Sequence, residues 1–311
     1  MTQDLLAGEQ FDLWGTTAVL RVTDPDALVV ARRLLDETAA AVERACSRFR
    51  PDSEILALNA SAGHGPFLVS DVLLDLIDAA LWAADATDGA CDPTVLPALL
   101  ALGYDADIEQ IRGVDVPGTP TYVPSPGTGG IGVDRESRTV ELAKGCAIDL
   151  GAIAKARCTD IAATLIEARL SVGCVVGLGG DLRAAGQAPA GGWAVSVCND
   201  AAAAGASLET VSIAGGGVAT SSTSLRRWQR DGVPVHHIVD PRTGRAASAV
   251  WSLVTVAAET CVAANAMSTA AVVWGDDALY ELPQRGVSAR LERPDCTVER
   301  VGGWPDPEQA R

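Results

Sequence analysis

The segment Ile148–Asp160, IDLGAIAKARCTD, sets a carboxylate, Asp149, just before a run of small residues that leads to Lys155. An acid at a strand end, followed by Gly151 and alanines at a helix start, lets an anionic ligand approach the backbone where the helix N-terminus favours negative charge. Lys155 is one of only two lysines in the chain, the other being Lys144. It belongs either to a solvated helix face or to a phosphate. In Thr87–Pro97, TDGACDPTVLP, Asp92 precedes Pro93 and either caps a turn or presents its carboxylate beside Ala90 and Cys91. Gly177–Gly186, GLGGDLRAAG, has Leu182 where a G-x-G-x-x-G fingerprint needs its third glycine. A Rossmann dinucleotide site is therefore not supported, and the glycines read as permitting close backbone approach at a strand exit.

Further on, Gly215-Gly216-Gly217 is followed by Ala219-Thr220-Ser221-Ser222 and then by Arg226 and Arg227. Flexible backbone, hydroxyls and guanidinium groups in succession suit an anion. His236 and His237 stand directly before the turn Asp240-Pro241-Arg242-Thr243-Gly244, and His64 is the only other histidine. A histidine there is either a satisfied core residue or an acid–base group beside a polar turn. In the apolar run Val262–Trp274, Asn265 and Thr269 are four apart, with Ser268 adjacent. On a helix such residues share a face, so an amide oxygen and a hydroxyl can converge on a hard cation, or back-bond within the helix. No G-x-S-x-G elbow occurs, which removes the serine-hydrolase reading.

These residues need elements to hold them. The run Phe11–Val22 reads as one strand. Asp24-Pro25 supplies a helix cap and a proline at the first helical position, and apolar residues at helical spacing carry that helix to about Phe49. A second helix starts at Ser70 and stops near Asp88-Gly89. The stretch Gly113–Gly132, with four prolines and six glycines, reads as a surface excursion. A third helix spans Gly151 to about Leu170. Short strands follow at Gly173–Gly177, Trp193–Cys198, Thr210–Ile213, Val235–Val239 and Ser252–Ala257, then the buried helix Val262–Trp274 and a polar tail after Leu282. Long helices beside antiparallel-looking strands, without a βαβ beat, predict an α+β fold.

The composition narrows the function classes. With 311 residues, 48% hydrophobic and 21% charged, the chain is globular, not disordered, collagenous or a coiled coil. Forty acidic against 24 basic side chains give a formal net charge of −16, which argues against nucleic acid as the partner. A phosphate ligand would need local help from backbone N–H groups, arginines or a metal. The N-terminus has no secretory pattern and no stretch reaches the ~18 apolar residues of a membrane span. The eight cysteines lie far apart, with no C-x-x-C, and read as reduced, mostly buried thiols of a cytoplasmic protein.

Taken in order, these segments resemble the FAD:protein FMN transferases, ApbE-type flavin transferases once described as thiamine-biosynthesis lipoproteins. The resemblance runs from Phe11 to about Gly275. It is carried by Phe11-x-x-Trp14-Gly15-Thr16, by Ser47–Glu54 with Asn59, by Thr87–Thr94 with Cys91 where the family has Phe, and by Asp149–Lys155. It continues through Gly179–Asp181, Ala219–Ser222 and His237–Gly244. It implies an α+β, T-fold-like architecture of helices packed on β-sheet layers, with residues 1–311 as a single flavin-transferase-like domain. It further implies an enzyme that moves the FMN half of FAD onto a threonine hydroxyl of an acceptor flavoprotein and releases AMP. Positions that line FAD in the family fall on Trp14, Phe49, Ala90, Cys91, Asp92, Asp149, Lys155, His237 and Ile238. The family's Mg²⁺ position falls on Ala152, Asn265 and Thr269, with Ser268 beside them, and Asn265 stands where the family has Asp. Lys155 and His237 are the implied catalytic groups: both stabilise phosphate, and His237 also moves a proton. Two other outcomes stay open on the same residues: FAD binding without transfer, and hydrolysis of FAD to FMN and AMP with water as acceptor.

Overall fold

The computed structural model describes residues 6–197 and 209–305. Its centre is an eight-stranded sheet built from β1 (Ala7–Leu13), β2 (Thr16–Val22), β3 (Cys174–Leu178), β4 (Asp181–Ala185), β5 (Gly216–Ser222), β6 (Leu253–Ala258), β7 (Ser288–Glu292) and β8 (Val298–Val301). Every strand pairs antiparallel with the next one in the chain, so the sheet is a meander and all other elements are insertions into its connections. The β2–β3 connection carries α1 (Leu28–Cys46), α2 (Glu54–Ala60), α3 (Asp71–Ala86), α4 (Leu96–Ala101), α5 (Ile108–Ile111) and α6 (Ala154–Leu170). The β6–β7 connection carries α7 (Cys261–Trp274) and α8 (Ala278–Gln284).

Helices α1 and α3 begin where the sequence signals them. Asp24 accepts a hydrogen bond from the Asp26 N–H ahead of α1, and the Ser70 hydroxyl accepts one from the Leu73 N–H at the start of α3. The helices cover one face of the sheet. Leu34 and Leu35 of α1 and Ile166 of α6 pack on Leu20, Val22 and Val176, while Ala264, Met267 and Ala271 of α7 pack on Ala219, Val254 and Val256. On the other face, the paired strands Trp193–Val197 and Glu209–Ile213 lay Val195, Val197 and Val211 against Val218 and Leu253. Helices on one face and a β-layer on the other make the predicted α+β class. No helix among the described residues is long and apolar enough to cross a membrane.

Several local expectations change. Phe11–Val22 is a hairpin, not one strand, because Trp14 (φ 53°) and Gly15 (φ 65°) are both left-handed and form the primed turn that two-residue hairpins require. The third helix starts at Ala154, not Gly151. The expected strand Val235–Val239 breaks at His237, between Val233–His236 and Val239–Asp240. The helix α2 carries only two buried residues, Ile55 and Leu58, too few for a periodic signal. The tail after Leu282 is not merely polar: β7 is buried, and its Arg290 and Glu292 join Glu209 and Arg300 in a buried ion-pair network. Paired charges inside a core read as a polar surface in sequence. Five of the seven described cysteines are buried, and all seven are free thiols; Cys198 lies outside the described residues.

The triple glycine does not supply flexibility. A Cβ on Gly217 would lie 2.2 Å from the Cys261 nitrogen and 2.3 Å from the Thr260 carbonyl carbon, so the bare backbone lets the start of α7 rest on β5. Backbone atoms on both sides cannot retreat without moving the helix. Gly217→Ala is therefore expected to destabilise the fold by about 1–3 kcal/mol, the usual range for overpacking. Urea titration reads this as a lower midpoint at unchanged slope.

Candidate functional site

The connections at one end of the sheet enclose a cavity of about 1100 Å³. That lies at the upper end of small-molecule sites, which run to roughly 1,000 Å³. Trp14 reaches it from the β1–β2 turn, Phe49 from the loop after α1, and Ala90, Cys91 and Asp92 from the loop after α3. Asp149 and Ala152 precede α6, Lys155 sits in its first turn, His237 and Ile238 come from the β5–β6 connection, and Asn265 and Thr269 from α7. Residues that sequence placed in six separate segments thus share one cavity. Ser268 does not line it: fully buried, its hydroxyl pairs with Ser221 at 2.8 Å and donates to the Asn265 carbonyl.

The two acid-bearing loops are rigid for different reasons. Asp92 accepts from the Thr94 N–H and hydroxyl at 2.8 and 2.7 Å, so the capping role suggested by Asp-Pro is realised at the cavity wall. Asp149 pairs with Arg48 at 2.9 Å and accepts from the Gly151 N–H at 2.8 Å. Asn59 holds the preceding residue by two backbone bonds, donating to the Ile148 carbonyl and accepting from its N–H, each at 2.9 Å. The Arg48 guanidinium also lies 4.2 Å from the ring centres of both Phe49 and Tyr104, and Tyr104 stacks toward Trp228 at 5.2 Å. The cavity therefore has an aromatic, cation-backed wall suited to a planar ring.

The same lining also carries charged groups without direct partners. Lys155 and Arg226 both line the cavity, and neither has an acidic partner within ion-pair distance among the described residues. Asp181 and Asp149 act on Lys155 from beyond ion-pair distance, yet neither cation is tied up in a direct pair. In a chain of net charge −16, both therefore stay available to an anion in this cavity. Enclosure and the nearby Arg226 push the Lys155 ammonium below its ordinary pKa. His237 is held well below its ordinary value by burial, and further by Arg226, His236 and Lys155, so it is neutral at pH 7. The two adjacent histidines divide the alternatives left open by sequence. His236 is the satisfied core residue, with Nε2 at 2.9 Å from the Ala247 carbonyl, whereas His237 lines the cavity with its Nδ1 unpaired. Cys46 and Cys91 also line the cavity, but burial pushes both thiols up to about 12, so neither is a thiolate nucleophile near neutrality.

Four buried polar atoms without a partner gather here: Trp14 Nε1, one terminal nitrogen of Arg48, His237 Nδ1 and Asn265 Oδ1. Native structures leave few such atoms, and those on this lining are placed where a polar ligand could reach them. Sequence reasoning did not single out Tyr104 or Asp181 as site residues. Tyr104 is one of three tyrosines and follows the helix-ending Gly103; Asp181 follows the glycine pair of the β3–β4 turn. Asp181 is 3% exposed and accepts a hydrogen bond from Asn265 Nδ2 at 2.7 Å.

Comparison with known proteins agrees with this geometry. Residues 14–291 match the ApbE family. The chain is 31% identical over 299 residues to the FAD:protein FMN transferase of Treponema pallidum, covering 85% of this chain and 77% of that protein. It is 27% identical over 243 residues to the Escherichia coli K12 protein of the same name, covering 77% and 69% of the two chains. Among solved structures, the ApbE protein of Thermotoga maritima superposes with a TM-score of 0.81 at 25% identity, covering 95% of this chain and 97% of that one. The Pseudomonas stutzeri flavinyl transferase ApbE shares the fold with a TM-score of 0.78 at 21% identity, covering 97% of each chain. With the family match running from the Trp14 turn through the buried strand β7, the chain belongs to the ApbE family of flavin transferases.

Proposed function

We propose that the protein is an FAD:protein FMN transferase, transferring FMN from FAD to a threonine hydroxyl of an acceptor flavoprotein. The observation that carries this reading is the pairing, in one cavity, of an aromatic wall with two cations outside any direct ion pair and a neutral histidine. FAD has the matching parts: planar rings and a pyrophosphate dianion. In the transfer, the acceptor hydroxyl oxygen attacks the phosphorus of the FMN half. The P–O bond to the AMP half breaks, and AMP leaves with the bridging oxygen. Lys155 and Arg226 stabilise charge on the phosphates, and His237 accepts the hydroxyl proton and returns it to the leaving phosphate.

A Mg²⁺ ion belongs to the same reading. The donors present are hard oxygens, as magnesium requires: the unpartnered Asn265 Oδ1, the Thr269 hydroxyl and the Ala152 carbonyl. When bound, the ion neutralises pyrophosphate charge and polarises the phosphoryl oxygen.

The test is incubation of the purified protein with FAD, MgCl₂ and an acceptor flavoprotein bearing a target threonine. Covalent flavin fluorescence on the denatured acceptor, with one AMP released per flavin attached, is the expected result. No covalent flavin, where a relative such as the Escherichia coli protein modifies the same acceptor, would sink the reading. FMN and AMP formed without any acceptor would replace it with FAD hydrolysis.

A further inference from the structure

We infer that Asp181 supplies the negative charge of the cation site, so that Asp181 on β4 and Asn265 on α7 act together as one oxygen pair toward Mg²⁺. The inference rests on the metal part of the proposed function and adds to it a residue of this chain.

The sheet register brings Asp181 to that place. Asp181 pairs with Ala219 across β4 and β5. Along β5, Ala219 and Ser221 share a face, and that face meets α7: Ala219 packs with Ala264, and the Ser221 hydroxyl lies 2.8 Å from Ser268 and 3.3 Å from Thr269. Asp181 therefore faces α7 as well, and its Oδ1 takes a hydrogen bond from Asn265 Nδ2 at 2.7 Å.

Two features of this pair point to a cation. An ionised carboxylate only accepts, so the amide must present its nitrogen to Asp181 and turn its oxygen elsewhere. That oxygen, Asn265 Oδ1, is buried without a partner on a side chain only 8% exposed that lines the cavity. In addition, Asp181 is 3% exposed; Lys155 and Arg226 act on its charge from a longer range, but no Lys, Arg or His comes within ion-pair distance of it among the described residues. A buried carboxylate without a paired cation is unfavourable, and Thr269 and Asn265 place neutral oxygens beside it. No group of three or more His, Cys, Asp or Glu side chains that suits a metal occurs among the described residues, so any cation here would rest on this one carboxylate and on neutral oxygens. A single carboxylate plus neutral oxygens is a set that magnesium uses. With an aspartate at 265, two carboxylates would meet where the hydrogen bond now lies. The amide at 265 thus fits the acid at 181, and the charge resides on the strand instead of the helix.

The experiment titrates the full chain without FAD, following Mg²⁺ by calorimetry and Mn²⁺ by electron paramagnetic resonance. Asp181→Asn is expected to weaken both ions about tenfold or more. The reciprocal variant, Asp181→Asn with Asn265→Asp, keeps one acid and one amide in hydrogen-bonded contact. It is expected to recover affinity to within about threefold of the parent. Near-ultraviolet circular dichroism reports the fold of each variant, and the reciprocal variant decides the matter if the single one does not fold. Asp181→Asn binding the ions like the parent, or a folded reciprocal variant binding no better than Asp181→Asn, overturns the inference alone. A parent chain that takes up neither ion overturns it together with the metal part of the proposed function, while the FAD-to-acceptor assay continues to judge the transferase reading separately.

Discussion

His237→Ala is expected to slow flavin transfer by about 10²–10⁴-fold, the range for loss of a positioned acid–base group. The substitution removes the neutral ring whose unpartnered Nδ1 faces the cavity, while leaving Lys155 and Arg226 to hold the phosphates. FAD affinity should therefore change far less than the rate, a split read by comparing flavin quenching with single-turnover transfer. Loss of affinity with little loss of rate would assign His237 to binding instead. The pH dependence carries the same signature. Burial, Arg226, His236 and Lys155 keep the His237 imidazole uncharged well below pH 6.5, so the parent's transfer rate should show no inflection near that value. Stability has a definite sign. Below pH 6.5 the unfolded chain binds a proton at this histidine that the folded chain refuses, so folding stability falls as pH drops through that window. His236, buried against the Ala247 carbonyl and also depressed, adds to the slope, and His237→Ala should remove only its own share.

Asp160→Ala is expected to cost about 3–5 kcal/mol of stability, with the melting temperature lower by roughly 5–15 °C. Asp160 lies on α6 and is 5% exposed. Its two oxygens accept from the Cys261 and Val262 N–H groups at 2.9 and 3.0 Å, and Arg183 approaches at 3.6 Å. It thus satisfies orphan donors at the N-terminus of α7 from a different element, where a negative charge also meets the helix dipole. Thr260 supplies the usual cap as well, accepting from the Ala263 N–H at 3.1 Å. Truncation leaves two buried N–H groups without their acceptor and removes the charge facing Arg183, which keeps its bond to the Glu259 carbonyl. Because α7 carries Asn265 and Thr269, Mg²⁺ affinity should weaken with the fold. Asp160→Asn, which keeps shape and one acceptor oxygen, should cost distinctly less. A loss under about 1 kcal/mol for Asp160→Ala would show that solvent replaces these bonds.

Motifs that act locally were legible in sequence. Asp24, Ser70 and Asp92 cap the turns they precede, because a cap needs only the next two or three N–H groups. The helices α1, α3 and α7 carry their apolar stripe or small-residue run in contiguous chain. The β1–β2 hairpin escaped because its turn uses Trp14 in a left-handed conformation that is rare for such a residue. Strand β7 escaped because its inward charges Arg290 and Glu292 look like surface residues in sequence, and the Glu209–Arg300 pair that completes their buried network is remote or outside the strand.

For the site, residue types and their order carried the flavin-transferase resemblance, and the resemblance in turn implied the set Trp14, Asp149, Lys155, His237 and Asn265, whose members all line one cavity. Only the tertiary structure decided which groups are paired. Asp149 is neutralised by Arg48, Lys155 and Arg226 are left without direct ion pairs, His236 is satisfied while His237 Nδ1 is not, and Asp181 meets Asn265 across 84 positions of chain. The physical reason is the period of two in a strand: pairing register decides which face a side chain takes, and a slip of one residue would turn Asp181 away from α7. A net charge of −16 says nothing of this. The charge felt by a phosphate is that of the few groups whose partners the sheet has placed elsewhere.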